Sequence, residues 1–142
     1  MTESGIERVL ARDGALVYKT CGKSMEPMLR QDRDLVLIRV PDARLRKYDV
    51  ALYRRGGDYV LHRVVAVEPE AYRVRGDNTY RVETVPDSAV LGVLRGFRRK
   101  GRTVRVDSPG YRCYVRVWQG IYPLRALYVR LRRLARRKGG AK

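Results

Sequence analysis

Two residues of this chain carry the side chains needed for nucleophilic chemistry. Its only histidine is His62, and Ser24 sits in the segment Gly22-Lys23-Ser24-Met25-Glu26-Pro27-Met28-Leu29. A serine hydroxyl is a weak nucleophile until a neighbouring base takes its proton. Glycine before it and proline after it hold Ser24 on a tight, exposed bend. There main-chain N–H groups face the same place as the hydroxyl, which suits an oxyanion hole. The chemistry on offer is acyl transfer. A lone histidine in the middle of a strand, taken by itself, reads as a surface or hydrogen-bonded structural residue, so its role depends on its surroundings. Gly22-Lys23-Ser24 also imitates the end of a phosphate-binding loop. That motif requires a further glycine where Val17 stands, and Pro27 would fall in the helix that must follow, so the phosphate-loop reading fails.

Several elements must position these residues. Residues 3–12 follow helical spacing, with Ile6, Val9 and Leu10 on one side and Gly14 near the end. Short apolar runs then follow with Gly, Asp and Pro between them: Ala15 to Thr20, Asp34 to Val40, Val50 to Tyr53, Tyr59 to Val67, Tyr72 to Arg75, Ala89 to Phe97 and Thr103 to Val106. Arg98 to Arg102 forms a turn between the last two. The pattern predicts a mainly β fold, a partly closed barrel, with Ser24 after the first strand and His62 inside the fourth.

A chain of 142 residues that is 44% apolar has enough material for one core and too little for two. The formal charge of +17 calls for an anionic partner, either nucleic acid or an anionic membrane. Cys21 and Cys113 match no metal-ligand spacing, and a single histidine leaves no His/Cys zinc site, so neither metal nor cofactor is expected. A disulfide between the two cysteines stays open; free thiols in a reducing compartment are the plainer reading. The N-terminus has early acidic residues and no apolar run of signal-peptide length. No stretch approaches the roughly 20 apolar residues that span a bilayer. A cytoplasmic protein is expected, lying at most peripherally on the inner face of the membrane.

Four blocks, taken together, resemble one family. Ser-Met-Glu-Pro-Met at 24–28, Tyr-Asp-Val-Ala-Leu-Tyr at 48–53, His-Arg-Val at 62–64 and Gly-Asp-Asn at 76–78 appear in the order found in type I signal peptidases and the related SOS-repressor autoproteases. The chain most resembles the archaeal and endoplasmic-reticulum branch, where histidine replaces the lysine of most bacterial enzymes. The similarity covers about residues 18–106, and four blocks at fitting spacing are far more specific than any one. It implies a β-rich signal-peptidase-like catalytic fold over residues 1–110, in which an extended peptide pairs with strand edges beside the serine. It also implies Ser24 as nucleophile, His62 as general base and Asp77 as the carboxylate that orients the base or supports the site. Glu83, where this branch often has a second aspartate, is the substitute for Asp77. Gly22, Lys23, Met25 and Pro27 around the serine are the expected substrate-binding residues. Two features depart from the family: Gly22 replaces a serine whose hydroxyl often helps hold the oxyanion, and no N-terminal membrane anchor is evident. They put the usual substrate in doubt and leave open a peptide-binding or membrane-docking module with little or no catalysis.

Residues 111–142 change character and are expected to form a basic amphipathic helical extension. They hold ten basic residues and no acidic ones. Pro123 suits a first helical turn. Leu124, Leu127, Tyr128, Leu131 and Leu134 follow with helical spacing, and Gly139–Gly140 closes the helix. Two fates are open for this stripe: docking on the domain's own β-face or lying on an anionic membrane. Arg98, Arg99, Lys100 and Arg102 could contact phosphates, but the chain carries no helix-turn-helix, zinc-finger or single-strand-binding signature, so nucleic acid is not the expected partner.

Overall fold

A computed structural model describes residues 3–19, 24–26, 28, 29 and 34–140. Thr20, Cys21, Gly22, Lys23 and Pro27 lie outside the described residues. The chain opens with helix α1 (Glu3–Asp13), which ends at Gly14, where φ is +72° and the N–H bonds Leu10 O at 2.9 Å. Strands β1 (Ala15–Lys19), β2 (Leu35–Arg39), β3 (Val50–Arg55), β4 (Asp58–Val67), β5 (Ala71–Arg75), β6 (Glu83–Pro86), β7 (Val90–Arg99) and β8 (Arg102–Arg105) follow. They form one antiparallel sheet in the order β1-β2-β7-β3-β4-β5-β6, with β8 on β7. Strands β1 and β6 stand at opposite ends of this path and do not pair with each other, so the sheet is not closed into the expected barrel.

Strand β3 shows why the sheet must be covered on both sides. Successive side chains of a strand point to opposite faces. Val50 and Leu52 enter one core with Ile6, Leu10, Met28, Val36 and Phe97. Ala51 and Tyr53 enter another with Leu45, Val64, Tyr72 and Val85. The β3–β4 hairpin turns on Gly56–Gly57, with Gly56 at φ 59°, and so pairs Arg55 with Asp58 and Ala51 with His62. The β7–β8 hairpin turns at Lys100 and Gly101, both at positive φ. β6 lies in a segment that the apolar pattern leaves as a loop; its four residues carry two polar side chains and a proline, too weak a signal to stand out.

Two helices follow the sheet. Ser108 caps α2 (Pro109–Gly120), accepting from Tyr111 N–H, with Pro109 in the first turn. Tyr111, Val115 and Gln119 of α2 are buried, and Tyr111 and Val115 belong to the same core as α1 and β2. The boundary expected between residues 110 and 111 therefore falls inside a helix that is part of the domain. Helix α3 (Tyr122–Gly140) follows, bonded to the domain through Tyr122 and Arg125 and with Leu124, Leu127, Leu131 and Leu134 exposed.

Candidate active site

His62 occupies a place that the hairpin register dictates. It is paired with Ala51, and its diagonal neighbour on the same face of the sheet is Tyr53. The small side chain opposite leaves room for the imidazole, which is buried. Nδ1 lies 3.0 Å from the Tyr53 hydroxyl, and that hydroxyl donates to Glu83 Oε2 at 2.9 Å. A phenol has one proton to give. With it committed to Glu83, the Tyr53 oxygen accepts from Nδ1–H, and Nε2 keeps its lone pair. Arg55 holds the other oxygen of Glu83. Burial, then the bond to Glu83, pushes the Tyr53 hydroxyl well above the ordinary phenol range, so it remains a neutral donor. Burial likewise lowers the pKa of His62; Glu83 pulls the other way without overcoming it. His62 is therefore a neutral imidazole at neutral pH, with a free basic nitrogen.

Ser24 meets this imidazole through Gly76. Ser24 begins a turn, and its carbonyl accepts from Asn78 N–H at 2.7 Å. A Cβ placed on Gly76 would lie 2.5 Å from Ser24 O, 3.0 Å from Ser24 Cβ and 3.2 Å from His62 Cδ2. Three chain segments thus converge where only glycine fits. Ser24 Cβ and the Cδ2 edge of the His62 ring thus lie against the same glycine. Among the described residues no hydrogen bond to Ser24 Oγ is formed; proximity, rather than a bond, relates the two side chains.

Asp77 is elsewhere. His62 and Arg63 are neighbours on β4 and so face opposite sides of the sheet. Asp77 goes with Arg63. Its two oxygens accept from Arg63 Nε and Nη2, each at 2.8 Å, and both side chains are fully buried. Tyr114 Oη donates to Oδ2 at 2.8 Å and Gln119 Nε2 to Oδ1 at 3.2 Å. Of the two roles expected for Asp77, orienting the base or supporting the site, the first is corrected: its carboxylate is engaged by Arg63, Tyr114 and Gln119, and the carboxylate that reaches His62, through Tyr53, belongs to Glu83, the expected substitute. Burial is the largest single influence and works against the Arg63 charge, but the hydrogen bond and charge of Asp77 together with Tyr111 outweigh it and hold its pKa above the usual value. Arg63 also donates to Tyr48 O at 2.9 Å and to Tyr111 Oη at 3.0 Å.

The same residue secures the loop that carries Gly76. The Asp77 carbonyl accepts from Trp118 Nε1 at 2.9 Å and from Arg125 Nη1 at 3.1 Å, and its N–H points at Met25 Sδ, 3.5 Å away. Helix α2 and the first turn of α3 therefore brace the segment against which Ser24 rests. Met25 is itself core, a residue only 5% exposed, so the expectation that it binds substrate is corrected for its side chain. Gly22, Lys23 and Pro27 lie outside the described residues.

Tyr53, Gly76 and Arg63 sit within the blocks already singled out, yet motif order alone gives them no role. Counting back from the Gly56–Gly57 turn would have found Tyr53, because the two-residue hairpin fixes which β3 side chains share a face with His62. No comparable local signal marks Tyr114, Trp118 and Gln119, whose parts depend on where α2 docks. Cys113 on the same helix is an exposed free thiol, and among the described residues no group of His, Cys, Asp and Glu could hold a metal ion. Among the described residues no helix is long and apolar enough to cross a membrane. No protein-family model matches the chain, and no curated protein matches it significantly.

Proposed function

We propose that the chain is a serine peptidase of signal-peptidase type, cutting an extended peptide through an acyl-enzyme with Ser24 as nucleophile and His62 as base. One observation carries the reading: Ser24 and His62 both lie against Gly76, and Tyr53, itself bonded to Glu83, occupies Nδ1 of the imidazole and so leaves Nε2 as its basic nitrogen. Ser24 Oγ adds to the scissile carbonyl carbon as its proton passes to His62 Nε2. The oxyanion takes hydrogen bonds from main-chain amides at the serine bend. The imidazolium then gives its proton to the leaving amine, and the amine departs as the carbonyl re-forms. Water, deprotonated by the same nitrogen, opens the acyl-enzyme. Glu83 stabilises the transient imidazolium through Tyr53 rather than by direct contact.

The sheet also supports an extended substrate. Strand β1 pairs only with β2 among the described strands and ends five residues before Ser24 in sequence, so its open edge can take an added strand. The resemblance to the Ser-His signal peptidases points the same way and implies small residues before the cut. A second reading, a binding module with weak or no catalysis, is favoured by Gly22, which stands where the family often has an oxyanion-holding serine. Fluorophosphonate or boronate labelling read by intact mass, with a peptide library in parallel, separates the two. The expected result is adduct or cleavage in the parent and none in Ser24→Ala or His62→Ala. A folded parent that gives neither, or a Ser24→Ala variant that labels equally, overturns the peptidase reading.

A further inference from the structure

The two C-terminal helices are both amphipathic, but they dispose of their apolar faces differently. In α2 the residues one turn apart, Tyr111, Val115 and Gln119, are buried against the domain. In α3 the equivalent stripe is bare: Leu124 is 68% exposed, Leu127 51%, Tyr128 62%, Leu131 55% and Leu134 49%. The domain holds α3 by its first turn only. Tyr122 stacks on Tyr80 and donates to its carbonyl at 3.2 Å. Arg125 donates to the carbonyls of Asp77 and Trp118 and lies over the Trp118 ring. From Arg130 to Arg136 every side chain is exposed. At about 1.5 Å per residue the helix is roughly 28 Å long, and most of that length projects beyond its attachment.

The charge around the stripe decides what can cover it. Helix α3 carries Arg125, Arg130, Arg132, Arg133, Arg136, Arg137 and Lys138, and no acidic residue follows Asp107 anywhere in the chain. A second copy laid face to face on α3 would set arginines against arginines with no carboxylate between them. A nucleic-acid backbone would satisfy the arginines and leave four leucines in water, with Tyr128 the only ring on the stripe able to stack on a base. A spanning orientation is closed by the same arginines. A surface that is anionic at the level of the guanidinium groups and apolar just beneath satisfies both faces at once. Arginine stems cover apolar surface while their heads stay with phosphates, and the leucines enter the acyl boundary.

We propose that α3 lies in the plane of an anionic lipid bilayer, with its leucine stripe in the acyl boundary and its arginines among the headgroups. This does not depend on the peptidase reading. If both hold, the first turn of the docked helix is bonded to the loop that touches Ser24.

Co-sedimentation of the full chain with phosphatidylcholine vesicles, with and without about 30 mol% phosphatidylglycerol, tests the proposal. Binding at least roughly tenfold tighter to the anionic vesicles is expected, weakening as salt is raised. Leu127→Ser with Leu131→Ser should reduce it by roughly tenfold or more while the melting transition stays unchanged, because both side chains are already in solvent. A Tyr128→Trp reporter should shift its emission to shorter wavelength on anionic vesicles only. The proposal is overturned by no binding to anionic vesicles, by equal binding of the leucine variant, or by concentration-dependent self-association of the vesicle-free protein that the leucine variant abolishes. Tight binding to a single-stranded oligonucleotide that exceeds binding to anionic vesicles at the same salt also overturns it.

Discussion

Asp77 and Glu83 lie six residues apart in sequence and on opposite sides of the strand that carries His62, and their surroundings assign them different work. Asp77 is fully buried, paired in two-pronged fashion with Arg63, and holds two further donors on its carboxylate. Glu83 is partly exposed, shares one oxygen with the exposed Arg55 and gives the other to a single phenol. A carboxylate whose lone pairs are all taken by fixed partners is a fastener; releasing any of them leaves a buried charge uncompensated. A carboxylate at the end of a short relay, still in touch with solvent, can alter the basicity of the group at the other end at little structural cost. Burial and saturation, more than nearness in sequence to the base, separate the two roles.

Breaking the fastener should give the largest effect in the molecule. Asp77→Ala strands the Arg63 guanidinium in the core, an expected loss of about 3–5 kcal/mol. For a domain of this size that lowers the melting temperature by on the order of 10 °C in thermal circular dichroism. Adding Arg63→Met to Asp77→Ala should recover part of the loss, since an apolar pair costs less than an unpaired buried charge. Glu83→Gln, in contrast, should leave the melting temperature almost where it was. If Glu83→Gln proved as damaging to stability as Asp77→Ala, the division of labour drawn here would be wrong.

A second test acts between the two carboxylates, at Gly76. A Cβ there would fall 2.5 Å from the carbonyl oxygen of Ser24, a main-chain atom that cannot swing aside. Gly76→Ala should cost about 1–3 kcal/mol and, on the peptidase reading, should remove labelling of Ser24 even in protein that remains folded. Retention of full labelling would show that the convergence of Ser24, Gly76 and His62 is looser than the structure has it.

Tyr53→Phe sharpens the comparison from the other side. It deletes the only hydrogen bond to His62 Nδ1 among the described residues, while the ring keeps its place in the core with Val64, Tyr72 and Val85. The stability cost should be about 1 kcal/mol. The peptidase rate should fall by roughly 10- to 100-fold, because the proton is no longer held on Nδ1 and the imidazole can present the wrong tautomer to Ser24. Nitrogen chemical shifts of the single histidine would report the tautomer without reference to turnover. A shift pattern unchanged by the substitution would remove Tyr53 from the relay.

The sequence made parts of this arrangement readable and hid others for physical reasons. Short apolar, β-prone runs punctuated by Gly, Asp and Pro mark strands, so β1, β2, β3, β4, β5, β7 and β8 stand out. The short polar β6 does not, and Glu83 begins it. The motif blocks put Ser24, His62 and Gly76 in order, but order carries no facing, and facing is what sets Asp77 apart from His62. The barrel was expected because many short strands commonly close; here β1 and β6 end apart. The stripe on α3 was visible as helical spacing, whereas its exposure depends on where α2 docks, which spacing does not encode.

The smallest effect concerns pH. The native pKa of His62 lies below its unfolded value of about 6.5, chiefly through burial, with Glu83 the main influence in the opposite direction. A base works only when neutral, so the acid limb of labelling or cleavage should fall below pH 6.5 rather than at it. Glu83→Gln removes a negative charge that favours the imidazolium and should move that limb lower still. Asp77→Asn, acting from the far side of β4 and the weakest of these influences on His62, should move it less. Stability has the same sign. The unfolded chain binds the histidine proton more readily than the native one, so the contribution of neutral His62 is complete above pH 6.5. It is lost progressively as pH falls from there towards the native value. Titration of the histidine ring in the parent, Glu83→Gln and Asp77→Asn proteins measures all three shifts. A larger displacement by Asp77→Asn than by Glu83→Gln would make Asp77 the carboxylate that governs the base, as the motif order alone suggests.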